Sequence, residues 1–350
     1  MQFWCSALKE PWSWAWRPYV GVWILCFGLL AAYAVAIRRR RRTNPAEPDA
    51  RKRALWFALG VLAIWLASDW PVGQLGSSYL SSVHMAQYML YTLAAAPLLI
   101  LGVPAWMARR LLGKLRLYRT VRFLARPLVA AVLFNVILIG TNVPLVVDAL
   151  RGSQVGSFGL DMTWLLSGFI LWMPICCAIP EISGRSYPVK MVYLFLAAAT
   201  VPMVPGGFLT FADHPLYATY ELAPRVMGFS ALNDQQLAGA FMKVGNIPVI
   251  WSVIAVMFVR WWKQERASDE AEAKDRPVGR AGYAAPGSAQ RHPGTGYAPA
   301  RAPKPAHTPC PDGVEPSPVR RSRQAPWAGP WRAPRRWPAP ASTTGRTSPR

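Results

Sequence analysis

Acidic residues are scarce in this chain: 17 Asp and Glu stand against 39 Lys and Arg in 350 residues, a formal net charge of +22. Histidine is scarcer, with four, and the five cysteines show no C-x-x-C or paired spacing that would make a framework. No H-E-x-x-H, G-x-S-x-G or phosphate-binding glycine loop occurs, which counts against a membrane enzyme. Charged residues of both signs reach only 16%, while 53% are hydrophobic and 17 are tryptophan. One compact soluble domain rarely has that balance. The basic residues cluster in short runs between apolar stretches. That is the charge layout of a membrane protein, and it argues against nucleic acid as a partner.

Crossing a bilayer takes roughly 17–25 apolar residues. Seven stretches qualify: Tyr19–Ile37, Ala54–Ser68, His84–Trp106, Leu128–Val147, Met162–Ile179, Val189–Phe211 and Leu237–Trp262. The expected fold is therefore all-α, a polytopic bundle of about seven transmembrane helices, with six as the rival count. Three regions follow: an outer N-terminal segment (1–18), the membrane domain (19–262), and a basic, proline-rich cytoplasmic tail (263–350). In that tail sixteen Lys/Arg stand against seven Asp/Glu, with 16 of the 33 prolines. Beyond Pro277 almost no aliphatic side chains remain to offset the entropy of ordering, so disorder is expected there. Its arginines, interleaved with Trp327, Trp331 and Trp337, suit contact with anionic lipid, although a solvated low-complexity extension is the plainer reading.

Lys and Arg set the orientation. Arg38–Arg42 with Arg51, Lys52 and Arg53 form one loop, and the run from Arg109 to Arg122 another. Arg185 and Lys190, then Arg260, Lys263 and Arg266, mark two more. The alternate loops hold single arginines, Arg151 and Arg225, beside Asp148, Asp161, Asp213, Glu221 and Asp234. The N-terminus is expected outside and the C-terminus in the cytoplasm of a multi-pass plasma-membrane protein. The first span has its positive charges after the apolar run, the wrong polarity for a cleaved signal.

Proline and glycine interrupt several spans: Pro97, the run Pro202 to Gly207, and Gly245 to Pro248. Kinks are expected there, and irregular backbone at membrane depth needs protein or water to satisfy it. Near the outer face, one helical turn brings His84, Gln87 and Tyr88 together. His84 is the one histidine inside a span, where ionisable residues usually face the bundle interior. Hydrogen bonding at the interface is the plainer alternative. Asn142 ends span four, Asp161 and Met162 open span five, and Asp234, Gln235 and Gln236 precede span seven. Asp234 by itself suits a helix N-cap. Convergence of His84, Gln87, Asp234 and Gln236 on one site is the expectation.

These segments resemble the bacterial CtaG family, associated with assembly of caa3-type cytochrome c oxidase. The resemblance rests on His84-Met85-Ala86-Gln87-Tyr88-Met89-Leu90, Pro97, and Leu101-Gly102-Val103-Pro104. It extends to Gly168-Phe169-Ile170-Leu171-Trp172-Met173-Pro174, Pro215-Leu216-Tyr217-Ala218-Thr219-Tyr220, and Asp234-Gln235-Gln236-Leu237-Ala238-Gly239 with Met242. The matches run in order over roughly residues 50–262. Three positions depart from the family pattern: Tyr88 and Asn142 stand where it has histidines, and Asp161-Met162 falls where another is expected. The resemblance implies a non-enzymatic assembly factor that works on cytochrome c oxidase subunits and handles copper near the outer face. The candidate copper set is His84, Met85, Met89 and Met162; soft thioethers suit Cu(I), although ordinary packing is the plainer reading of each methionine taken singly. Gln87, Tyr88, Asn142, Asp161, Asp234, Gln235 and Gln236 complete the candidate polar site. The rival reading is a copper or small-ion permease that uses the kinked helices as a path.

Overall fold

A computed structural model describes residues 2–43, 49–226 and 228–275. The tail beyond Asp275, and with it the expected lipid contact, lies outside the described residues. The helices are α1 (Val20–Thr43), α2 (Ala50–Ser68), α3 (Val72–Ser78), α4 (Ser81–Gly102), α5 (Ala105–Lys114), α6 (Tyr118–Leu124) and α7 (Pro127–Thr141). They continue as α8 (Pro144–Arg151), α9 (Gln154–Cys176), α10 (Pro180–Ser183), α11 (Tyr187–Phe211), α12 (Ala218–Glu221) and α13 (Ala231–Glu272). Among the described residues there is no strand, only an isolated bridge between Gln2 and Tyr19.

Five helices, α1, α4, α9, α11 and α13, are each long and apolar enough to cross a membrane. Counting the bent pairs α2–α3 and α6–α7 as one span each gives seven. The chain is thus a polytopic membrane bundle. Its outward surface explains the composition. On α2, Leu55, Leu59, Leu62 and Leu66 are exposed while Phe57, Val61, Ile64 and Ala67 are buried, so the helix is apolar on both faces. A helix apolar all round needs lipid on the face that protein does not cover.

Prolines shape the bundle. The expected kinks take the form of π-turns: Leu90–Ala95 lies just before Pro97, Phe195–Thr200 before Pro202, and Phe241–Gly245 before Pro248. A proline ring clashes with the carbonyl one turn back, and widening the turn relieves the clash. Neighbouring side chains satisfy carbonyls in two of these turns. Trp172 donates to Thr92 O at 2.9 Å, Asn135 to Ala197 O at 3.1 Å and Asn246 to Ala198 O at 2.7 Å. At Gly206 and Gly239, α11 and α13 pack backbone to backbone. A Cβ on Gly239 would lie 2.6 Å from Gly206 O, so that position has no room for a side chain, and one on Gly206 would sit tightly at 3.0 Å from Gly239 O.

Two of the boundaries that differ from expectation bear on the site. Span four does not run to Val147. It ends at Thr141, because Pro144 holds Val143 extended and a separate α8 begins. Asp161 and Met162 do not open span five; α9 starts at Gln154, placing them about two turns inside it. The bend between α6 and α7 is 82°, again at a residue held extended by a following proline, Arg126 before Pro127.

Candidate functional site: a capped polar core at the outer end

The starts of α4 and α9, the end of α8 and the short α12 meet at one end of the bundle, the end that charge assigns to the outside. Here the structure buries an ion pair that sequence reading did not anticipate. Arg151, counted above as a loop charge, is fully buried at the C-terminus of α8. Its guanidinium lies 3.1 Å from the Asp161 carboxylate and 3.3 Å from His84 Nδ1. The same guanidinium stacks on Trp164, with 5.3 Å between Cζ and the ring centre. Asp161 also accepts a 2.8 Å bond from the Trp4 indole. His84 meets Trp164 and Tyr220 edge to face.

The first residues of the chain close this core. Trp4 and Cys5 are buried. Cys5 Sγ donates to Ser68 O at 2.9 Å, and Ala7 N donates to Arg151 O at 2.9 Å. Ser78 donates to Ser6 O at 2.8 Å, and Phe3 N donates to the Gln154 side chain. Burial, then the Asp161 charge, pushes the Cys5 thiol well above its ordinary value, so it behaves as a small packing group. The stretch 2–18 is therefore part of the folded domain at this end, a role its composition does not show.

The DQQ segment acts as a clamp. Ser230 caps α13 itself, accepting from Asn233 N at 3.1 Å. That leaves Asp234 to cap a different helix. Its carboxylate takes Ser81 N at 2.5 Å, Ser81 Oγ at 2.7 Å and Ser82 N at 3.3 Å, and also bonds Ser82 Oγ. A carboxylate at that end also complements the helix dipole of α4, one turn from His84. Gln235 accepts from Leu216 N at 2.6 Å and donates to His214 O at 3.3 Å, fixing the loop that carries the two motif tyrosines. Tyr217 donates to Asn142 O at 2.9 Å and Tyr220 to Gly76 O at 2.7 Å. Burial raises the Tyr220 phenol, keeping it a donor.

The remaining candidates are placed as follows. Gln87 is buried and donates to Ala67 O at 2.6 Å; a Cβ on Gly76 would sit 2.0 Å from its Oε1. Gln236 is half-buried on α13. Asn142 is buried and donates to Leu138 O at 2.7 Å. Tyr88 packs against Trp164 and lines a void of about 10 Å³ with Met89, Met242 and Asn246, room for about one water. Met85 is fully buried, whereas Met89 and Met162 are partly buried against the core. Arg151, Trp4 and Tyr220 are the members that sequence reasoning missed. One signal was available: Arg151 is a single basic residue in a loop otherwise poor in them, shortly before a single acid in an apolar run.

Copper can be tested against this geometry. A guanidinium only donates, so His84 Nδ1 accepts from Arg151 and a neutral ring carries its hydrogen on Nε2, which has no hydrogen-bond partner. A metal at Nε2 would need that nitrogen bare, and a metal at Nδ1 would have to displace a cation. Among the described residues no three His, Cys, Asp or Glu side chains gather as a ligand set. As arranged, with Arg151 on Nδ1, the His84 ring is not free to ligate a cuprous ion.

The sequence profile of the cytochrome c oxidase caa3 assembly factor family (Caa3_CtaG) matches residues 31–264. This chain belongs to that family. Two curated relatives are uncharacterized proteins of Mycobacterium bovis and Mycobacterium tuberculosis, each 25% identical over 259 residues. The match covers 69% of this chain and 38% of each relative, so the chain spans well under half of their length. No solved structure matches.

Proposed function

We propose that this chain helps to mature a haem–copper cytochrome c oxidase by engaging an oxidase subunit at the outer end of the bundle, without catalysing a reaction. The family match over residues 31–264 carries this reading. The capped polar core supports the location. Three charged or ionisable side chains are held there at a cost in desolvation, and Trp4, Asp234 and the tyrosine motif fix the segments around them. Such an arrangement preorganises a rigid outer surface.

Copper handling is the second reading, favoured by the unpartnered Nε2 of the buried His84 beside the buried Met85. It requires Arg151 to release the ring. One experiment separates these readings from ion permeation. Oxidase activity, oxidase subunit abundance and copper tolerance are measured in a deletion strain carrying the wild-type chain, no chain, or His84→Ala. Subunit engagement predicts lost activity without the chain, subunits still synthesised, copper tolerance unchanged, and His84→Ala close to wild type. Copper handling predicts that His84→Ala fails although the protein inserts normally. It also predicts that Tyr88→His with Asn142→His raises Cu(I) affinity. Altered copper tolerance with normal oxidase would overturn assembly in favour of a permease.

A further inference from the structure

At the opposite end of the bundle the charge pattern reverses. An open cavity of about 640 Å³ lies between α6, the start of α7 and α10. Arg119, Arg122, Arg126 and Arg185 line it, with Glu181 the one acid in its wall. Glu181 bonds Arg109, whose Nη2 donates to both carboxylate oxygens at 2.9 and 3.0 Å, and Arg122 acts on it only through its charge. No ion pair among the described residues involves any of the four lining arginines. Arg126 has only the Phe123 ring, 5.2 Å away. Two wall residues, Ala125 and Ile182, belong to a small buried apolar cluster with Val121 and Ile179.

The surroundings define what fits. The 82° bend at Arg126 turns α6 nearly at right angles to the spanning helix α7. The cavity thus opens at the level where a membrane span begins. In the helix that follows Arg126, Leu128, Val132, Val136 and Ile139 form an exposed apolar row down one face of α7, with Leu128 78% exposed. A group held here meets concentrated positive charge at one end and bare aliphatic surface at the other. A free anion would use only the first.

We infer that this cavity is a binding site for an anionic phospholipid of the inner leaflet, its phosphate among Arg119, Arg122, Arg126 and Arg185 and its acyl chains along α7. Guanidinium groups bind phosphate oxygens in paired hydrogen bonds, and low-charge aliphatic surface accepts the chains. Basic pockets between spanning helices on the cytoplasmic side suit such headgroups.

The test uses the full chain purified in detergent, with retained lipid counted by native mass spectrometry after equal exposure to phosphatidylglycerol and phosphatidylcholine. The wild-type chain should retain phosphatidylglycerol in preference. Replacing the four arginines by glutamine should abolish that preference, with a loss of about fivefold per arginine. A control that removes the same charge elsewhere, Arg38, Arg41, Arg42 and Arg53 to Gln, should retain it. Should the fourfold variant not accumulate, Arg122→Gln and Arg126→Gln singly carry the test, each with a several-fold loss. Equal retention of the two lipids, or equal loss in pocket and control variants, would overturn the assignment. Displacement of the lipid by millimolar inorganic phosphate would also overturn it, by showing an anion site indifferent to acyl chains.

Discussion

The two ends of this bundle treat charge in opposite ways. At the outer end Arg151 is fully buried, touching Asp161, His84 and Trp164. At the inner end Arg119, Arg122, Arg126 and Arg185 stand exposed around an open cavity, none of them in an ion pair among the described residues. Burial makes the difference. A charge removed from water must be paired or cost several kcal/mol, whereas a charge at the inner surface keeps its solvation and adds attraction to anionic lipid. The Arg151–Asp161 pair is structural, whereas the four cavity arginines keep their solvent exposure.

The largest effect should come from breaking the buried pair. Asp161→Ala leaves Arg151 uncompensated and strands the Trp4 indole, so the loss should be about 3–5 kcal/mol. Thermal unfolding in detergent reads it as a fall in Tm. Asp161→Ala combined with Arg151→Met should recover much of that loss. A double variant no better than Asp161→Ala would show that the contact network, not the lone charge, sets the cost.

A smaller effect is expected at Asp234. Asp234→Ala removes the carboxylate that caps α4, for a loss of about 1–2 kcal/mol, and Asp234→Asn should keep part of it. The same unfolding measurement applies. An Ala variant as stable as wild type would show that Ser81 and Ser82 find other acceptors.

The smallest effect belongs to the inner face. Arg109→Ala breaks an exposed pair with Glu181 and should leave Tm unchanged within error. Glu181's own backbone amide, then the Arg109 guanidinium, holds its carboxyl below the usual carboxylate range. A depressed carboxylate contributes stability above its unfolded pKa and loses it as pH falls through the folded one. Any difference between Arg109→Ala and wild type should therefore vanish in acid. A clear Tm loss at neutral pH would show that the inner surface is as tightly coupled as the outer core.

Much of this architecture was legible in the residues. Apolar runs marked the spans, and Pro97, Pro202 and Pro248 marked the irregular turns, because span length and the missing proline donor are local constraints. Family motifs marked the outer loops as well, but not their roles. Asp234 suited a cap in sequence, yet Ser230 already caps its helix, and Asp234 reaches 153 residues back to Ser81. Pro215 to Tyr220 carried a motif whose purpose appears only when Tyr217 meets Asn142 and Tyr220 meets Gly76.

What the sequence by itself determined is a multi-pass helical membrane protein of the caa3 assembly family, with kinks at its prolines. Hydropathy, backbone chemistry and ordered motifs are written along the chain and need no third dimension. Only the tertiary structure decided that Arg151, read as a loop charge, is a buried partner of Asp161 and His84, or that Trp4 and Cys5 close over that core. The physical reason is that desolvation depends on which helices surround a side chain. Whether a charge is an anchor, a lock on a histidine or a free lipid contact is therefore set by packing between distant segments, not by its place in the sequence.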